Sequence, residues 1–232
     1  GGTFFSLDTG DGTSTAIGAA VAFGGETFTG LATDTTDGTL YACSTNISAS
    51  SLYEIDPATG AATRIGAITN EPAIIGIAVD ASGQMYGYGL INDSLLEIDK
   101  TTGAGTIVGP LGFDANYGQG MDFDESDGTL YLFAYNSSAG QPQLLSCDTA
   151  TGATTLVGVL GAVTPGGGTQ LGSGAVGTGG LQVGAELTAS KEVAGDLVPG
   201  GTITYTIGIA NDGPDDQPDD PASDEFEDTL PS

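Results

Sequence analysis

Carboxylates are the one reactive group this sequence holds in quantity. Thirty Asp and Glu stand against Arg64, Lys100 and Lys191, with no His, and the formal net charge is −27 at pH 7. Without imidazole, Ser-His-Asp and Cys-His relays and histidine metal ligands are ruled out. Neither Cys43 nor Cys147 lies in the electropositive setting that activates a thiol. Paired-carboxylate hydrolysis remains, with Glu54 and Glu97 as candidates because they share one position of a repeat. Ser6 and Ser146 replace them in its other copies, and the strands concerned lie away from a central funnel. The sequence therefore predicts no enzyme and no catalytic residue. An acidic pair converging on a central funnel would reverse that expectation.

Other carboxylates read as turn residues. Asp8, Asp56, Asp99 and Asp148 recur at one repeat position, and a cap on each local turn is favoured over a repeated ligand site. Asp34/Asp37 and Asp124/Asp127 occupy D-T-T-D-G and D-E-S-D-G hairpin turns, shortened to DASG in the copy between them. The acidic loop 211–228 offers Asp215, Asp216, Asp219 and Asp220 as oxygen ligands for calcium. Its spacing matches no EF-hand loop, and a solvated loop is favoured; no other cofactor is expected. Three sequons, at Asn46, Asn92 and Asn136, fall at equivalent places after a strand and are candidates for glycosylation; Asn and Ser also simply suit turns.

Charge and hydropathy exclude further classes. A strongly anionic surface repels phosphate backbones and anionic membranes, so no nucleic-acid partner is expected. The run AIIGIAV (73–79) is too short to span a bilayer, and the uncharged stretch 149–185 is too rich in Gly and Thr to insert. The opening GGTFF lacks signal-peptide regions, so a secreted form would be mature.

The elements that position these residues come from a repeat. FFSLDTGDGTSTAIG (4–18), LYEIDPATGAATRIG (52–66), LLEIDKTTGAGTIVG (95–109) and LLSCDTATGATTLVG (144–158) start 48, 43 and 49 residues apart. Each reads as a β-hairpin: alternating apolar runs flank an Asp-led turn that ends in Gly. Between copies lie GLATD, GIAVD and GMDFD, then LYAC, MYGY and LYLF, giving four short strands per unit. Four strands on this period are the signature of a β-propeller blade. The chain opens on an outer hairpin and runs through three complete blades. A fourth inner pair is expected at 168–177 and 180–184, although Gly supplies nine of the twenty residues 161–180 and a linker fits as well. If those are strands, hairpin 4–18 completes their blade and closes a four-bladed ring. The repeat also places both cysteines at core positions of non-adjacent blades, as buried free thiols.

From Ala185 the composition changes. AELTASKEV (185–193), PGGTITYTIGIANDGP (199–214) and EFEDTLP (225–231) resemble immunoglobulin-like repeat domains of bacterial cell-surface proteins. The hairpin repeat resembles secreted bacterial propeller repeats of the L-Y-x-I-D-P-A-T-G type. The expected class is all-β, with a small propeller of about four four-stranded blades over 1–184 and a partial immunoglobulin-like sandwich over 185–232. Such a sandwich needs about seven strands, and three candidates are present. Unpaired edges are templates for strand addition. The resemblance and these edges imply an extracellular or cell-surface homopolymer that builds a filament, sheath or matrix layer. The alternative is an adhesion module that recognises a glycan or calcium.

Overall fold

In the computed structural model, residues 2–8, 10–117, 119–160, 176, 187–195 and 203–211 are described. The chain divides into two compact units, Gly1–Gly180 and Leu181–Ser232. The first opens with a hairpin of β1 (Gly2–Leu7) and β2 (Ser14–Ala20). Three antiparallel four-stranded meanders follow. They are β3 (Thr27–Thr33), β4 (Leu40–Thr45), β5 (Ser50–Ile55) and β6 (Ala62–Ile68); β7 (Ile74–Val79), β8 (Met85–Gly89), β9 (Ser94–Ile98) and β10 (Gly105–Pro110); and β11 (Gly120–Phe123), β12 (Leu130–Asn136), β13 (Gln141–Cys147) and β14 (Thr154–Val159). Each sheet keeps sequence order, as the blades of a β-propeller do. An all-β class and a half-blade ahead of three complete blades are therefore observed. The expected fourth inner pair, 168–184, lies outside the described residues except for Val176, and closure by the N-terminal hairpin is not seen among those described.

Local chemistry makes the outer hairpins. At Asp56 the backbone carbonyl accepts the N–H of Gly60 at 2.8 Å, while the side chain accepts Ala58 N–H at 2.9 Å and the Thr59 hydroxyl at 2.7 Å. Gly60 can then take φ +73°, a left-handed conformation that costs glycine little. Each of the four hairpins also carries a bulge that the sequence reading did not foresee. Register shifts at Phe4/Phe5, Leu52/Tyr53, Ile107/Gly109 and Leu144/Leu145 leave Ile17, Ile65, Val108 and Val157 without a partner. In the first three hairpins the glycine after the bulge lies against the turn of the next hairpin.

The core lies between sheets rather than inside any one. Ile74, Ile77 and Met85 pack with Cys43, Leu52 and Leu96 between the first two blades. Tyr88, Leu95, Met121, Leu132 and Cys147 pack between the second and third. Both cysteines are free and buried, as the repeat predicted, and burial raises their thiols to about 11 and about 12.

In the second unit β15 (Leu187–Gly195) pairs antiparallel with β16 (Ile203–Asn211), from Leu187 opposite Asn211 to Gly195 opposite Ile203. The third expected strand, 225–231, lies outside the described residues. Two strands alone do not define an immunoglobulin-like sandwich.

Candidate binding cavity

The innermost strands β3, β7 and β11 converge on a cavity of about 590 Å³. Its walls are Phe28, Leu31 and Ala32 of β3, Val79 of β7, and Met121, Asp122 and Phe123 of β11, with Thr35 and Glu125 from the turns that follow. An apolar lining with a few convergent polar groups is the usual make-up of a small-molecule site. Asp122 is one of its polar groups. One of its oxygens accepts the N–H of Phe123 at 3.0 Å and the other that of Val176 at 2.8 Å. Burial lifts its carboxyl above the usual range and the charge of Glu125 adds to this, while the two N–H groups pull the other way. The signal was legible in the repeat, since β11 carries Asp122 where the inner strands β3 and β7 carry Ala32 and Ala78.

The carboxylates singled out from sequence are spread over turns. Asp56, Asp99 and Asp148 cap their hairpins. The Thr59 hydroxyl, the Thr101 hydroxyl and the Ala150 N–H, respectively, lead in holding these carboxyls below the usual range. Asp8 accepts the N–H of Gly10 at 2.8 Å. Glu54 and Glu97 are exposed on β5 and β9, outside the cavity. Asp34 is fully buried and pairs with Lys100 of the next blade. Burial pushes its carboxyl up, but Lys100 and Thr36 outweigh that and leave it below the usual range. Asp124 is buried and accepts the hydroxyl of Ser126 at 2.6 Å.

The sequon asparagines sit at equivalent places beside β4, β8 and β12. Asn46 and Asn92 are exposed, and Asn136 is half-buried. Each side-chain amide already donates one hydrogen bond, to Gly24 O, Asn70 O and Gln143 Oε1 respectively. Asp215, Asp216, Asp219 and Asp220 lie outside the described residues. Among those described, no three or more Cys, Asp or Glu gather as metal ligands.

A second series escaped the sequence reading. Glu26, Glu71 and Gln119 are all buried just before their blades' first strands. Glu26 binds the hydroxyls of Ser44 and Ser51. Glu71 accepts the N–H groups of Ala73, Ile91 and Asn92 at 3.3, 3.2 and 2.9 Å. Gln119 donates to Asn116 O and Tyr135 O and accepts the Tyr88 hydroxyl. Each thereby ties down backbone or hydroxyls that would otherwise be buried unpaired.

No family model matches the chain, and no curated protein sequence matches it. Its partial matches among solved structures are β-propeller-type proteins. TolB from Acinetobacter baumannii is 13% identical with a TM-score of 0.49, over 91% of this chain and 47% of that one. A chain of a nidogen/laminin complex is 17% identical with a TM-score of 0.49, over 67% and 57%. The PQQ-bound aldose sugar dehydrogenase of Streptomyces coelicolor is 22% identical with a TM-score of 0.42, over 56% and 47%. This chain thus spans about half the length of the structures it matches, and likeness at this level transfers no activity, ligand or partner.

One expectation is corrected here. Catalysis was ruled out partly because no acidic pair reached a central funnel, yet Asp122 and Glu125 both line the inner cavity. The exclusion of enzymatic activity is withdrawn.

Proposed function

We propose that the first unit is an extracellular binding module whose cavity holds a glycan residue. The observation that carries this is the placement of Asp122 and Glu125 among Phe28, Leu31, Val79 and Phe123 in a space of about 590 Å³. Carboxylates accept sugar hydroxyls, and the apolar walls cover the ring's C–H faces. Among the described residues the Asp122 oxygens each have one backbone partner, and a carboxylate oxygen can accept more than one hydrogen bond. An extracellular setting accords with the heavily acidic composition and with the resemblance of the repeats to secreted bacterial proteins. Thermal denaturation with methyl glycosides of hexoses and N-acetylhexosamines tests the reading. A bound sugar raises the midpoint in a concentration-dependent way. Asp122→Ala, which copies the residue at this position in the other two blades, abolishes that rise. No rise with any of these sugars, or an equal rise in the variant, contradicts it.

A second reading is self-assembly into a filament, sheath or matrix layer through the C-terminal strands. It is favoured by β15 and β16, each of which has one edge without a strand partner among the described residues. Such edges accept further strands. Deleting 181–232 would then abolish fibres seen by negative-stain electron microscopy, and fibres that persist would exclude this route.

A further inference from the structure

Every junction between consecutive hairpins in the first unit is built the same way. A residue bulges out of the second hairpin strand, and the glycine after it lies against the turn of the next hairpin. An added Cβ at Gly18, Gly66 or Gly109 would overlap the carbonyl of Thr59, Thr102 or Thr151, whose carbons lie 3.0, 3.0 and 3.1 Å from it. The turn glycines that receive them, Gly60, Gly103 and Gly152, are buried. The bulged residues Ile17, Ile65 and Val108 are half-buried.

Both halves of a fourth junction are on display without meeting. Val157 is bulged in the same register but is 54% exposed, and Leu156 and Val159 beside it are exposed too. An added Cβ at Gly158 meets no described atom within 4 Å. At the other end the turn glycine Gly12 is exposed and equally free, with Phe5 and Leu7 exposed on its hairpin. One end thus carries the glycine that presses on a turn, and the other carries the turn.

We propose that a second copy of this chain fills this junction, Gly158 of one copy seating on the Asp8–Gly12 turn of the next. The partner is argued from continuity: the same contact already joins the hairpins within one chain three times, and its two remaining halves do not meet there. The surfaces that join are different, so association runs head to tail. It extends as a fibre unless the rotation per copy closes a ring. This route is independent of the cavity and of β15–β16.

Sedimentation velocity of the full chain over a concentration series tests it, with Gly158→Ala as the variant and Gly109→Ala as a control for the cost of a filled junction. The wild type should grow in size with concentration. Gly158→Ala should melt with the wild type yet associate about tenfold to a hundredfold more weakly, because its methyl meets a partner's carbonyl and no described atom of its own chain. A wild type that stays monomeric throughout overturns the proposal, as does undiminished association of Gly158→Ala. So does a Gly158→Ala midpoint as low as that of Gly109→Ala, which would mean that the chain's own residues occupy the junction.

Discussion

Single residues here act mainly by satisfying neighbours. Glu71 is 1% exposed and accepts three backbone N–H groups. Removing it strands the buried N–H of Ala73, and a buried donor left unpaired costs about 1–3 kcal/mol. Glu71→Ala should therefore lose about that much stability, read as a lower urea midpoint, and an unchanged midpoint would show that the acid is dispensable. The turn aspartates act through ionisation. Asp56, Asp99 and Asp148 have carboxyls below the usual range, so the folded state holds their protons less tightly than the unfolded one. Their stabilisation is present above the ordinary carboxylate value of about 4 and is lost as pH falls through the depressed values. Replacing all three with Asn keeps a side-chain acceptor but removes the titration. The variant's thermal midpoint should fall less steeply between about pH 5 and pH 2 than the wild type's. Parallel curves would place the acid sensitivity elsewhere.

At the scale of elements, the bulge and its closing glycine set how sheets stack. Gly109→Ala inserts a methyl against the Thr151 carbonyl and should cost about 1–3 kcal/mol, as overpacking typically does, read as a lower urea midpoint. Stability unchanged by that substitution would show the sheets free to part at no cost. The hairpins themselves were legible in the sequence, because an Asp-led turn ending in Gly dictates them locally. The core places of Cys43 and Cys147 followed from position in the repeat. The bulge was not legible, since Ile-Gly or Val-Gly reads as ordinary strand until its pairing partner is known. Glu26, Glu71 and Gln119 also escaped: they precede the motifs that align and differ in type. Asp122 stood in view as the odd residue among Ala32 and Ala78. The convergence of three inner strands then set it and Glu125, three residues further on, beside Phe28, Leu31 and Val79.

Over the whole molecule, charge and repetition dominate. With a formal charge of −27, the folded chain repels itself more than the expanded chain does. Raising monovalent salt from about 0.01 M to about 0.5 M should raise the thermal midpoint through screening; a falling midpoint would mean that favourable pairs such as Lys100–Asp34 outweigh the repulsion. Repetition makes each blade depend on its neighbours for a core, and it leaves the inner strands facing a shared space. That the space binds sugar is the central claim, and amide chemical-shift mapping tests it most directly. Titrating the labelled chain with methyl glycosides of hexoses and N-acetylhexosamines should shift the amides of Leu31, Val79 and Phe123 together, on three strands far apart in sequence. Shifts confined to the outer turns at Asp56, Asp99 and Asp148, or none at saturating sugar, would contradict it.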